Sequence, residues 1–264
     1  AIQQYLREAV VTRVQQPAAL VVPHAGYVYA GQIMADGYRQ VKDMQPEVVV
    51  ILGTNHTDAG FQGISVWPRG AYRTPLGDAA IDDGTAAALL AADTFCNSEP
   101  RAHLREHSIE VQVPFVQTVF PRARIVPVVV GTPDPARCIR FGAALGAVLK
   151  GKRALLIASS DLAHFPAYED ARRVDRDTLE SMPRLDAEAF RARLQVRMGR
   201  GRRNLDTCAC GEAPIMAAML AKADVLISAW DGNRLVGVAR SLTDFHYVAY
   251  LADLAVALAY QRRG

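Results

Sequence analysis

Val48-Val49-Val50-Ile51-Leu52-Gly53-Thr54-Asn55-His56 reads as a strand buried on both faces and closed by a polar turn that carries an imidazole. A run this apolar and β-branched lacks the alternation of a half-exposed strand. That is the pattern of a parallel strand covered by helices on both sides. The same grammar recurs in Val21-Val22-Pro23-His24 and in Leu155-Leu156-Ile157-Ala158-Ser159-Ser160-Asp161-Leu162-Ala163-His164. In an open α/β sheet the carboxyl ends of parallel strands line one edge, and ligands bind in the crevice there. Three distant stretches therefore direct histidines toward one place. Imidazole is the commonest metal ligand and the usual acid or base near neutral pH, so convergence points to a site.

Outward from these stretches, strands alternate with helices. Apolar runs predict strands at 18–22, 47–52, 63–67, 124–130, 153–158, 224–229, 235–239 and 246–251. Apolar residues at steps of three and four predict helices at 30–42, 79–92, 108–119, 135–149, 168–181, 186–198 and 211–222. This order is that of an α/β protein with a mainly parallel central sheet and helices on both faces. The last strands follow one another closely, with Asp231-Gly232-Asn233 as a turn, and predict an antiparallel hairpin at the sheet edge near the C-terminus. No repeat or linker is visible, so residues 1–264 are expected to form one domain.

Composition narrows the function. The 264 residues are 50% hydrophobic and 22% charged, enough to bury a large core. A net charge of +3, from 30 basic and 27 acidic residues, gives no reason to expect a nucleic-acid partner, and a small-molecule substrate is expected instead. No apolar stretch reaches the roughly 18 to 20 residues that span a bilayer. The start, Ala1-Ile2-Gln3-Gln4-Tyr5-Leu6-Arg7, does not read as a signal peptide. No membrane partner is therefore expected. Cys96, Cys138, Cys208 and Cys210 form no disulfide framework, and a reducing, cytoplasmic location is expected.

Several residues carry weighable chemistry. Asp161 and His164 form an Asp-x-x-His turn in which the carboxylate would accept from the imidazole, fixing its tautomer and making His164 a general acid or base. The plainer alternative makes Asp161 a helix cap and packs His164 under Phe165. Glu106, His107 and Glu110 open an amphipathic helix whose Ile109, Val113 and Val116 face the core. Acidic residues suit a first turn, and His107 with Glu110 shares a face, so His107 is a candidate catalytic imidazole and Glu110 a candidate substrate contact. Tyr27 and Tyr29 follow His24 in a Gly-flanked loop, and Tyr27 is the better candidate to touch an aromatic substrate, buried packing being the other reading. His103, on an expected loop, and His246, in the closing strand, read as half-buried structural histidines. Arg197, Arg200, Arg202 and Arg203 read as a solvated basic loop, with anion or partner binding the alternative.

Pro23-His24-Ala25-Gly26-Tyr27, Leu52-Gly53-Thr54-Asn55-His56, Glu106-His107-Ser108-Ile109-Glu110, Ser159-Ser160-Asp161-Leu162-Ala163-His164-Phe165 and Cys210-Gly211 stand in the order and approximate spacing of the Memo-like family. Five motifs in order are far more specific than any one alone, and this resemblance spans nearly the whole chain. It implies the fold of the class III extradiol dioxygenases of the LigB type, whose iron is held by two histidines and a glutamate. It also implies association with radical SAM and AMMECR1-type proteins, beside which family members are often encoded.

By the same resemblance His24, His56 and Cys210 face the metal. The residues themselves support the two histidines. The cysteine departs from the two-histidine, one-carboxylate pattern and suits Fe(II), copper or zinc alike. A small buried cysteine opening a helix is its plain alternative, and Cys208 is expected to be structural. Three functions follow: a metal-dependent oxidoreductase or dioxygenase-like enzyme, with iron the metal that the resemblance implies, acting on a small phenolic or otherwise oxygen-sensitive substrate; a non-catalytic adaptor that kept the fold; or a zinc-dependent hydrolase.

Overall fold

The computed structural model describes residues 1–11, 19–132, 134–182, 187–199, 203–221, 225–231, 234–243 and 249–256. In chain order the elements are α1 (Ile2–Glu8), β1 (Leu20–Val22), α2 (Tyr27–Val41), β2 (Val48–Thr54), β3 (Ile64–Val66), β4 (Ala71–Thr74), β5 (Gly77–Ala80) and α3 (Asp83–Ala92). Then come β6 (Cys96–Asn97), α4 (Pro100–His103), α5 (His107–Glu110), α6 (Val113–Val119), β7 (Arg124–Val130), α7 (Pro135–Leu149) and β8 (Ala154–Ser159). The chain continues through α8 (Tyr168–Ser181), α9 (Ala187–Met198), α10 (Glu212–Ala221), β9 (Val225–Asp231), β10 (Arg234–Thr243) and β11 (Ala249–Val256).

The central sheet has six strands in the order β1-β8-β2-β7-β3-β6. β1, β8, β2 and β7 run parallel, and β3 is antiparallel to β7, which makes the sheet mixed but mostly parallel. In β2, Val49 and Ile51 point to one face and Val50 and Leu52 to the other, yet none of the four is exposed. Both faces are covered, which is why the strand is a continuous apolar run. Register sets the functional edge: Val22 pairs with Ser159, and Leu52 pairs with Ala158. The ends of β1, β8 and β2 therefore lie level, and the residues just past them meet.

Several expectations need correcting. The helix expected at 108–119 is two helices, because Pro114 has no N–H to give and starts α6 afresh. The helix expected from residue 79 begins at Asp83, capped by Asp82, since Gly77–Ala80 pairs with Ala71–Thr74 as a hairpin. Tyr27 belongs to the first turn of α2 and not to a loop, and His103 ends the short α4. β9, β10 and β11 are antiparallel, as expected, but hydrogen-bond as a three-stranded sheet of their own and not as an edge of the central one. Gly232, Asn233 and His246 lie outside the described residues, as do Arg200 and Arg202. Among the described residues no helix is long and apolar enough to cross a membrane.

Candidate metal centre

His24 stands two residues past β1 and is 1% exposed. Its Nδ1 lies 3.1 Å from the Ser159 hydroxyl. That hydroxyl donates its proton to the Ser108 carbonyl at 2.6 Å and accepts from the Gln112 amide at 2.9 Å. A hydroxyl has one proton, and a carbonyl can only accept, so Ser159 must accept from His24. His24 thus carries a proton on Nδ1, and its Nε2 faces Cys210 Sγ at 3.2 Å.

His56, two residues past β2, is fixed the same way by another partner. Glu106 accepts the His56 backbone N–H at 2.7 Å and sits 2.9 Å from its Nδ1. The Glu106 side chain is fully buried and also accepts the Ser108 N–H at 2.9 Å as the cap of α5. Burial pushes this carboxyl up, but the hydrogen bonds from His56 and Ser108 outweigh it and hold it at about 2. An ionised Glu106 keeps the proton on Nδ1 and turns Nε2 inward. Gly53 lets α5 come this close: a Cβ there would stand 2.5 Å from Ser108 Oγ and 2.6 Å from Ile109 Cγ1.

Cys210 completes the group just before α10. Its sulfur accepts the Asp161 N–H at 3.3 Å, and one donor atom each from His24, His56 and Cys210 lie within 4.8 Å of one another. Burial raises the thiol, but the hydrogen bonds of His24 and His56 win and bring it down to about 6. Reciprocally, Cys210 and then Glu106 raise His56 to about 10 against the cost of burial. The thiol is made more acidic and the imidazole more basic by the same contact, and a cation bound here would displace the proton between them. Gly211 is required here, since a Cβ would sit 2.4 Å from the Ser159 carbonyl oxygen.

Asp161 departs from its expected role. Its Oδ1 accepts the backbone N–H groups of His24 and Ala25 at 2.8 and 3.1 Å, and its Oδ2 lies 3.8 Å from His24 Nε2. It fixes the turn that carries His24, and no hydrogen bond joins it to His164. It also caps no helix, because α8 begins only at Tyr168. His164 nevertheless brings a ring nitrogen within 4.8 Å of both Asp161 and Cys210.

His107 covers the open side. Its side chain is 48% exposed, against 29% for His56, and its ring stacks on His56 at 4.7 Å and stands edge-on to His24 at 5.4 Å. Burial, then the charge of His56, lowers its basicity. Glu110, at the other end of α5, is exposed and lies with Tyr27 along a separate cleft. Tyr27 donates to the Val111 carbonyl at 2.8 Å, and burial with the nearby Glu110 charge pushes its phenol up to about 12. Tyr29 points to solvent, Cys208 is core, and Arg197 pairs with Asp177.

The sequence reading passed over Glu106, Ser159 and Gln112 as functional. In the sequence Glu106 reads as a first-turn acid beside His107, and nothing there ties residue 106 to residue 56. Ser159 and Gln112 carry no motif of metal chemistry and act through their protons.

A mixed, mostly parallel sheet with two imidazoles and a thiol gathered at its strand ends defines an α/β protein with a candidate His-His-Cys metal centre. The model of the family described as Memo-like protein matches residues 1–229, and this chain belongs to that family. It is 38% identical over 177 residues to a MEMO1 family protein of Thermotoga maritima, covering 66% of this chain and 64% of that one. A MEMO1 family protein of Sulfolobus acidocaldarius is 36% identical over 205 residues, 76% of this chain and 69% of its own. One from Aquifex aeolicus is 40% identical over 174 residues, 66% of this chain and 64% of its own. The matched region thus spans less than two thirds of the Thermotoga and Aquifex proteins. A solved structure of an uncharacterized protein from Escherichia coli K12 covers 75% of this chain and 89% of its own at 14% identity and a TM-score of 0.48, a likeness too weak to carry an argument.

Proposed function

We propose that this chain is a metal-dependent oxidoreductase, with iron held by His24, His56 and Cys210, acting on a small phenolic or otherwise oxygen-sensitive substrate. The observation that carries the reading is that Nδ1–H hydrogen bonds to Ser159 and Glu106 leave both imidazoles with Nε2 turned toward the Cys210 sulfur. The donor set fits a cation. Ligand bonds of about 2.0–2.3 Å place neighbouring donors about 3.3–3.6 Å apart, close to the 3.2 Å between His24 Nε2 and Cys210 Sγ. Copper and zinc would suit the same donors, and iron is chosen for the family's relation to the dioxygenases.

Bound iron would supply redox chemistry and polarise a substrate oxygen. The chain's own residues do the rest. Glu106 and Ser159 fix the two tautomers, and Asp161 holds the turn that carries His24. His164, beside Asp161 and Cys210, exchanges a proton with the substrate, and His107 borders the open side where the substrate enters. The buried face of His24 keeps water from the inner side.

The test is oxygen uptake by anaerobically iron-loaded protein given simple phenols. The proposal expects uptake that requires iron and falls to background in His164→Ala, with iron content unchanged. Uptake equal in the variant would remove His164 from the mechanism, and a zinc-loaded protein that hydrolyses esters without oxygen uptake would overturn the redox reading.

A further inference from the structure

A second cavity lies beside the metal centre and is separate from it. A cleft of about 620 Å³ is lined by Ile2, Tyr27, Leu76, Glu110, Val111 and Pro114, among others, and its walls are mostly apolar. Its volume is that of pockets for small organic molecules. Two charged side chains line it, Arg73 and Glu110. Arg73 is already held by Asp78 through two hydrogen bonds of 2.8 and 3.0 Å. Glu110 has no hydrogen-bond or ion-pair partner among the described residues. Glu110 is therefore the charged side chain left to a ligand, set in a mostly apolar wall that also includes Ala1 and Gln3.

The cleft connects to the metal centre by two short pieces of chain. Glu110 follows His107 by three residues on α5, a spacing that puts the two side chains about 5–6 Å apart at Cβ. Tyr27 follows His24 by three residues, and its phenol is pinned to Val111 on the cleft wall. A molecule with a charged end on Glu110 therefore lies one helical turn along α5 from His107.

We propose that this cleft binds an organic cation with an apolar body, an arylalkylamine, with its ammonium on Glu110 and its hydrocarbon against Leu76, Val111 and Pro114. The inference rests on the oxidoreductase reading only for the ligand's being the substrate; the binding site stands apart from it. Glu110 supplies the charge, Tyr27 supplies a rigid wall with a free lone pair, and the bidentate pairing of Arg73 keeps its guanidinium from filling the site.

The test is calorimetric titration of the protein with phenethylamine, with 3-phenylpropanoate and 2-phenylethanol as anionic and neutral analogues. The proposal expects the amine to bind more tightly than either analogue, and Glu110→Gln to weaken it about tenfold. Amide shifts at Tyr27, Glu110 and Val111 would mark the cleft. Glu110 is exposed, so the variant keeps the fold, and its thermal unfolding checks this. Equal binding of the amine by Glu110→Gln, tighter binding of 3-phenylpropanoate, or no binding at millimolar concentration would overturn the proposal. Cys210→Ser, which removes a proposed iron ligand, is expected to bind the amine as the parent does. Amine binding without any metal binding would sink the oxidoreductase reading alone, and metal binding without amine binding would sink this one alone.

Discussion

Replacing Glu106 by Gln keeps the shape of the side chain and removes its charge, which isolates what the carboxylate does. The carboxylate accepts three N–H groups, from the backbone and ring of His56 and from Ser108. A carboxamide has one acceptor oxygen and one donor NH2, so in either orientation its NH2 meets at least one N–H head-on. With the oxygen toward His56 Nδ1, the NH2 faces the His56 backbone N–H. In the flipped orientation the NH2 faces Ser108 N–H and drives the ring proton of His56 to Nε2, where the cation would bind. Hydrogen bonds to a charged group contribute about 1.5–3 kcal/mol each, and a buried unsatisfied donor costs about 1–3 kcal/mol. A net loss of about 3 kcal/mol in urea unfolding is expected, together with a metal affinity reduced about 10–100-fold, the usual effect of removing a ligand's supporting carboxylate. Isothermal titration with Fe(II) or Zn(II) under exclusion of oxygen reads the second effect directly. A variant with parental stability and parental metal affinity would refute the claim that Glu106 sets the His56 tautomer.

Three further outcomes are expected. Gly53→Ala drives a Cβ into Ser108 and Ile109, so it should cost about 2 kcal/mol in chemical denaturation and weaken metal binding by shifting α5, and a neutral effect would show that α5 has room to move. Ser159→Ala leaves His24 Nδ1–H and one of the two Gln112 amide hydrogens without an acceptor, the other staying on the Pro23 carbonyl, so unfolding should cost about 2–4 kcal/mol less, while Ser159→Thr should restore part of it. His103 is buried between Ser65 and Tyr72, and burial holds it at about 4 against an ordinary 6.5. The folded state therefore binds fewer protons than the unfolded one below pH 6.5. Its contribution is complete above that value and is lost as pH falls through about 4, by about 3 kcal/mol in all. His103→Gln should flatten the urea stability profile between those limits, and an unchanged slope would contradict the assignment.

His56 and His164 were legible because each follows a strand buried on both faces, and a buried parallel strand is a local signal, whereas His24 follows the short edge strand β1, where Val21 is exposed. β1, β8 and β2 run in one direction, which places His24, Asp161 and His56 together just past their ends. What was not legible depends on groups distant in sequence. Glu106 meets His56 across fifty residues, and the proton of Ser159 is committed by a carbonyl on another element. The Asp161–His164 pairing was a local guess that lost to the backbone N–H groups of His24 and Ala25, which offer the carboxylate better geometry. Pro114 was visible in the sequence, but the apolar period ran straight through it and concealed the break between α5 and α6. β9, β10 and β11 each pair with a neighbour in sequence and form a sheet of their own, and a strand pattern does not say which edge it will join.

The central claim, that His24, His56 and Cys210 together hold a redox metal, is tested most directly by elemental analysis of protein purified without oxygen, beside His24→Ala, His56→Ala and Cys210→Ser. The account predicts near-stoichiometric iron or copper in the parent and its loss in all three variants. A parent that holds no metal and takes up none on reconstitution, or one whose metal survives all three substitutions, would contradict it.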